Sequence, residues 1–151
     1  MIEYEKIANL DKMKTGDHIV LLYEKSAEII PASVSFIKTS LDRNEKCLYI
    51  KGDMNEEVLL SKLRKEISNL DEYIENGQLQ FLDKKVVYAL SKHFKAKQMI
   101  KKLKEESMNA LEDGYAGLSI TGELSWVLNI EGGKKEIIDY EWMLNEYIFD
   151  D

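Results

Sequence analysis

The sequence predicts an α/β fold, a mostly parallel sheet with helices on both faces. Three observations predict it. Short β-rich runs alternate with longer helical patterns along the chain, the rhythm of βαβ units. The first strand-like run is almost continuously apolar, as befits a strand covered on both faces. The chain has 151 residues, 44% apolar and 32% charged, which is enough for one domain with a real core.

The elements follow in order. His18-Ile19-Val20-Leu21-Leu22-Tyr23 reads as the first strand. After the loop 24–29, Pro31 fits the first turn of a helix, where its missing N–H does no harm. Val34, Ile37 and Leu41 then recur at helical spacing up to Asp42-Arg43-Asn44-Glu45. Lys46-Cys47-Leu48-Tyr49-Ile50 is the second strand, and Gly52-Asp53 its exit turn. A helix starts near Asn55 with Val58, Leu59, Leu63 and Ile67 on one face. Leu70, Tyr73 and Ile74 add a further apolar turn that Gly77 stops. Gln78-Leu79-Gln80-Phe81-Leu82 is the third strand. Residues 83–94 read equally as a short helix or an extended loop. A long helix follows over about 95–113, with Ile100, Leu103 and Leu111 inward and Gly114 at its end. Ala116 to Thr121 is the fourth strand, and Gly122-Glu123-Leu124-Ser125-Trp126 its exit turn. The last helix spans about Lys134 to Tyr147, with Ile137, Ile138, Glu141, Leu144 and Ile148 along one side.

Bulk properties exclude several functions. Net charge is −7, so general attraction to nucleic acid is not expected. The lysines Lys95, Lys97, Lys101, Lys102 and Lys104 read as a solvated helix face. No run approaches the length needed to span a bilayer, and Met1 to Lys6 lacks a signal-peptide pattern. The single cysteine, Cys47, excludes an internal disulfide, and the expected compartment is the cytoplasm. Cys47, within a strand, is expected to pack rather than react. His18, His93 and Cys47 have no zinc spacing, and no metal or cofactor is expected. Neither a nucleophile elbow nor a dinucleotide fingerprint occurs, so no enzymatic activity is expected.

Ligands of open parallel sheets bind outside the carboxyl ends of the strands. That rule points to Tyr23-Glu24, Lys51-Gly52-Asp53, Asp83 and Thr121-Gly122-Glu123. A phosphate-binding loop would use glycines to wrap backbone N–H groups around phosphates. The segment Glu24-Lys25-Ser26-Ala27-Glu28-Ile29-Ile30 has no glycine and carries two glutamates. Gly133-Lys134 lacks both the upstream glycine and the following Ser or Thr. A triphosphate held in the usual way is therefore not expected.

Several strings carry a family resemblance: Gly16-Asp17-His18-Ile19 leading to Leu22-Tyr23-Glu24, Gly77-Gln78-Leu79, and Tyr88. The sharpest are Gly114-Tyr115-Ala116-Gly117-Leu118, then Thr121-Gly122-Glu123-Leu124-Ser125-Trp126, then Tyr140-Glu141 with Leu144-Asn145. Over about residues 16–148 the chain resembles the methanogen/methylotroph sensory (MEDS) domain, a family related to RecA/KaiC-type ATPases. The resemblance implies a three-layer RecA-like sheet that has lost its phosphate loop. It implies a sensory module for small organic compounds such as hydrocarbon derivatives. It also implies a DNA-binding or histidine-kinase partner. The family continues with a further strand and helix beyond this point. In a RecA-type layout that strand lies beside the first, so its absence favours a homodimer that closes the gap.

The expected ligand residues are Tyr23, Glu24, Asp53, Tyr88, Thr121, Glu123, Ser125 and Trp126. Glu123 supplies a hydrogen-bonding carboxylate, or caps a turn. Trp126 supplies a flat apolar surface, or roofs the core. Tyr88 lies in a segment that fits a lid over the strand ends. His18, at the far end of the first strand, is expected to cap or pack. A degenerate nucleotide binder and a purely structural module are the competing readings.

Overall fold

The computed structural model describes residues 10–84 and 95–149. Within them a three-stranded parallel sheet runs in the order β2-β1-β3. The central strand β1 is Lys46–Lys51, flanked by β2, Leu79–Asp83, and β3, Leu118–Gly122. Tyr49 lies opposite Phe81 on one side and Thr121 on the other. β1 is buried along almost its whole length, as expected for a parallel strand with neighbours on both sides and both faces.

Helix α1, Ile29–Asp42, buries Ser33, Val34, Ile37, Ser40 and Leu41 at helical spacing. It ends where Asn44 takes a left-handed conformation (φ 58°), a region asparagine tolerates. α2, Glu56–Glu66, starts at Asn55, whose side chain accepts from the Glu57 N–H at 2.9 Å. Its first turn is acidic and its last turn basic, which complements the helix dipole. The short α3, Leu70–Glu75, is followed by Gly77 at φ 79°. α4, Ala96–Glu112, and α5, Gly133–Phe149, pack against each other.

The two faces of the sheet have separate cores. Cys47 and Tyr49 cluster with Val34, Ile37 and Leu41 of α1 and with Leu59 and Leu63 of α2. Ile50, which points the other way, clusters with Met99, Ile100 and Leu103 of α4, and with Trp126, Val127 and Tyr140. Burying each such large apolar side chain contributes about 1.5–3 kcal/mol.

The main correction concerns the first predicted strand. Among the described residues, 18–23 join no sheet. Ile19, Val20, Leu21 and Leu22 are exposed, Leu22 to 90%. The run is tethered at its ends instead. His18 Nδ1 bonds Asn145 Oδ1 at 2.7 Å, and its Nε2 pairs with Glu141 Oε2 at 2.8 Å. Tyr23 reaches Glu123 at the other end. Apolar content makes a segment able to be a buried strand, but a parallel strand also needs a partner edge along its length.

Smaller corrections fall on the helix faces. Leu111, Ile138 and Val58 are exposed, whereas the periodicity placed them inward. Leu111 lies in the last turn of α4 and Ile138 in the first half of α5, and both are exposed. The strands and long helices otherwise lie within two residues of their expected limits. Residues 85–94, which include Tyr88 and His93, lie outside the described residues.

Candidate functional site at the strand ends

The carboxyl ends of β1 and β3 converge on Glu123, which directly follows β3 and is only 5% exposed. Its backbone N–H donates to the Ile50 carbonyl at 3.3 Å, extending the ladder by one step. Its carboxylate gathers donors from three places. The Tyr23 hydroxyl donates to Oε1, the Ser125 N–H donates to Oε1 at 2.7 Å, and the Asp53 N–H donates to Oε2 at 3.3 Å. The Trp126 indole N–H donates to the Glu123 carbonyl at 2.9 Å.

Gly52 is what lets the carboxylate sit there. A Cβ on Gly52 would fall inside the Glu123 carboxylate, so only glycine leaves the space. Gly122 likewise allows β3 to approach Ile50 closely.

Burial pushes the Glu123 carboxyl up, but hydrogen bonds from Ser125, Tyr23 and the Asp53 N–H outweigh it, and the net shift is downward. Glu123 is therefore ionised at neutral pH. Tyr23 is pushed up by burial and by its bond to Glu123, so it remains a neutral donor.

The loop after Tyr23 is closed by its own anion. Glu28 reaches back to accept from the Glu24 and Lys25 N–H groups at 2.9 and 3.2 Å. Those two bonds hold the Glu28 carboxyl below its usual range. Backbone donors of the kind a phosphate would use are thus occupied by a glutamate at this position.

The expected site residues divide clearly. Tyr23, Asp53, Glu123 and Ser125 meet in the network just described. Thr121 lies inside β3, two residues before Glu123, opposite Tyr49. Glu24 is exposed, and its carboxylate appears in none of these contacts. Asp53 is exposed and pairs with Lys84, while Lys51 pairs with Glu56 at 2.9 Å. Trp126 is 4% exposed and lies in the α4/α5 core, so its indole roofs that core instead of offering an open surface. Tyr88 lies outside the described residues. Among the described residues no group of three or more His, Cys, Asp or Glu is arranged to hold a metal ion. Cys47 is buried, and burial pushes its thiol up to about 12, which suits packing rather than reactivity.

Two residues escaped the sequence reading. Tyr49 and Ser33 bury hydroxyl-bearing side chains under α1, next to this network. The available signal was the alternation Ser119-Thr121-Glu123, which makes one face of β3 polar.

Fold and strand ends together define an α/β domain with its polar groups gathered at the carboxyl edge of a parallel sheet, where such folds bind ligands. More particularly, the chain belongs to the MEDS family, the "MEthanogen/methylotroph, DcmR Sensory domain", whose model matches residues 17–151. It is 25% identical over 140 residues to the transcriptional repressor DcmR of Methylorubrum extorquens (strain DSM 6343 / CIP 106787 / DM4). That match takes in 93% of this chain and 49% of the relative, so the chain spans about half the length of the curated relative it matches. No solved structure matches it. Among the described residues no helix is long and apolar enough to cross a membrane.

Proposed function

We propose that the chain is a non-catalytic, small-molecule-sensing input domain acting in transcriptional regulation. The ligand is a small organic compound held at the carboxyl ends of β1 and β3. Tyr23, Asp53, Thr121, Glu123 and Ser125 line the site. Glu24 borders it, and the Trp126 indole N–H holds the Glu123 carbonyl.

The observation that carries this reading is the Glu123–Tyr23 bond. A buried, ionised carboxylate at the strand ends draws one of its donors from a segment 100 residues away that joins no sheet among the described residues. A ligand donor that replaces the Tyr23 hydroxyl releases that segment. Binding then favours one of two arrangements, which a sensor requires. Family membership and the likeness to a repressor support a regulatory readout through a DNA-binding partner or segment. The exposed apolar run 19–22 supports a second copy as the surface that reads the change. The RecA-like relationship is part of the same proposal, supported by the parallel order and by helices on both faces. The Glu28 closure of the loop after Tyr23 favours an organic ligand over a nucleotide.

The test is a thermal-melting screen of small alcohols, amides and hydrocarbon derivatives beside magnesium–ATP. A hit is expected to raise the melting temperature of the native protein and to lose its effect in Glu123→Gln. Tight, magnesium-dependent ATP binding would overturn the proposal, as would hits that bind Glu123→Gln unchanged.

A further inference from the structure

β3 is a half-buried strand at the edge of the described sheet, and one of its faces is polar. Ser119, Thr121 and the following Glu123 point to the α1 side, because their register partners Cys47 and Tyr49 belong to the α1 core. Ile120 faces the opposite core. Two of the three polar groups are accounted for. Ser119 donates to Glu45, and Glu123 is bonded as described.

Tyr49 crosses this polar column beside Thr121. Its ring packs on Phe81 with centroids 5.8 Å apart, which fixes its direction. The residue is 2% exposed, yet its hydroxyl has no hydrogen-bond partner among the described residues. Ser33 of α1 is close by without completing a hydrogen bond, and the charges of Glu123 and Tyr23 both act on the hydroxyl. Native structures retain few buried polar atoms of this kind, and each calls for a partner. Ser33, Glu123 and Tyr23 are the groups that act on the hydroxyl, and the last two belong to the strand-end network.

We infer that the Tyr49 hydroxyl is the inner recognition group of the strand-end site, donating a hydrogen bond to an acceptor atom on a small neutral ligand. This rests on the reading of that edge as the ligand site. Burial pushes the Tyr49 hydroxyl up to about 12, so it is a donor at any physiological pH. Glu123 is ionised and accepts only. The two groups together select a compound with an acceptor at its inner end and an O–H or N–H at its outer end. An anion is disfavoured, because it would face Glu123 and Asp53. The matching chemical class is the neutral, compact amide or alcohol. Its donor takes the place that the Tyr23 hydroxyl holds on Glu123.

The probes are acetamide, acetone and acetate, titrated into the ¹⁵N-labelled full chain while the amide signals of Asp53, Glu123 and Ser125 are followed. Acetamide offers donor and acceptor, acetone an acceptor alone, and acetate a charge. Acetamide is expected to give saturable shifts at millimolar concentration, acetone weaker ones and acetate none. Tyr23→Phe, which removes the competing hydroxyl, is expected to bind acetamide about threefold more tightly. Tyr49→Phe is expected to bind it at least fivefold more weakly, while melting at or above the native temperature without probe. Equal affinity in Tyr49→Phe overturns the inference and leaves the strand-end reading standing. A marked fall in the melting temperature of Tyr49→Phe also overturns it, because the hydroxyl then has a structural partner. The absence of saturable shifts with all three probes, even in Tyr23→Phe, overturns the inference and the strand-end reading together.

Discussion

The two ends of the sheet each carry a buried glutamate, and they use it differently. At the amino ends, Glu45 is held by neighbours on the framework. The Ser119 hydroxyl donates to its carboxylate, and the Gln78 side chain donates to its carbonyl at 3.1 Å. Lys46 and Asp113 form an ion pair nearby at 3.7 Å. At the carboxyl ends, Glu123 is held by loops: the turn after β1, its own exit turn, and Tyr23 from a segment outside the described sheet. The first arrangement comes apart only with the sheet. The second can lose one partner while the sheet stays intact. Stability and response are thereby assigned to opposite ends of the same strands.

The largest expected effect comes from Gly52→Ala. The new methyl group must displace the Glu123 carboxylate, which breaks every bond the carboxylate makes. Crowding of this kind costs about 1–3 kcal/mol. For a chain of this size that is a fall of roughly 2–4 °C in melting temperature per kcal/mol, readable by calorimetry. The loss is expected to be strongly non-additive with Glu123→Ala, since both remove one hub. Simple addition in the double variant would mean that Gly52 matters for some reason other than room for Glu123.

Glu123→Gln comes next, at about 1–2 kcal/mol, because its amide end opposes the Asp53 and Ser125 N–H donors. Glu45→Gln is expected to lose a similar amount through Ser119. The two differ in where the loss appears. Amide exchange in residues 18–25 should quicken in Glu123→Gln and stay unchanged in Glu45→Gln. Identical exchange maps would erase the distinction between the two ends.

That distinction was only partly legible in the sequence. The three strands of the sheet were legible because each is a short apolar run between turn signals, and the helices because their apolar residues recur every three or four positions. The strand-end rule then brought Tyr23, Asp53, Thr121, Glu123 and Ser125 into consideration together, and four of these five meet in one network. Residues 18–23 carry the same apolar signature as β1, yet join no strand among the described residues. Composition reports what a segment can bury, whereas pairing depends on a neighbouring edge that the segment itself does not encode. In the sequence, Trp126 fits the ligand side and the core side equally well. Which side it takes is decided by the turn Ser125–Asn129, which swings the indole into the α4/α5 core. Tyr49 looked like ordinary core, because a tyrosine in a buried strand reveals nothing of whether its hydroxyl is partnered.

Tyr23→Phe separates tethering from stability. It removes one hydroxyl that donates to Glu123, at a cost of about 0.5–1.5 kcal/mol. Glu123 keeps its bonds to Ser125 and Asp53, so the sheet should be unaffected. Limited proteolysis is expected to cut within 18–25 faster than in the native protein, with no new cuts elsewhere. Unchanged cleavage would show that His18, through Asn145 and Glu141, holds the segment by itself.

The smallest effect expected is on acid stability. The folded-state pKa of Glu123 lies below the ordinary value of 4.5, because hydrogen bonds from Ser125, Tyr23 and Asp53 outweigh burial. A carboxyl depressed in this way stabilises the fold fully above its unfolded-state pKa, and that share is lost as pH falls through the lower folded value. Glu28 is depressed too, by the Glu24 and Lys25 N–H groups, and contributes to the same acid limb. The share due to Glu123 is therefore the difference between the native protein and Glu123→Gln. Denaturant melts at a series of pH values are expected to show that difference as a constant above pH 4.5 and shrinking below it. A gap that persists unchanged to the lowest pH at which the protein still folds would mean that Glu123 acts through its shape, and the contrast between the two ends of the sheet would then owe nothing to charge.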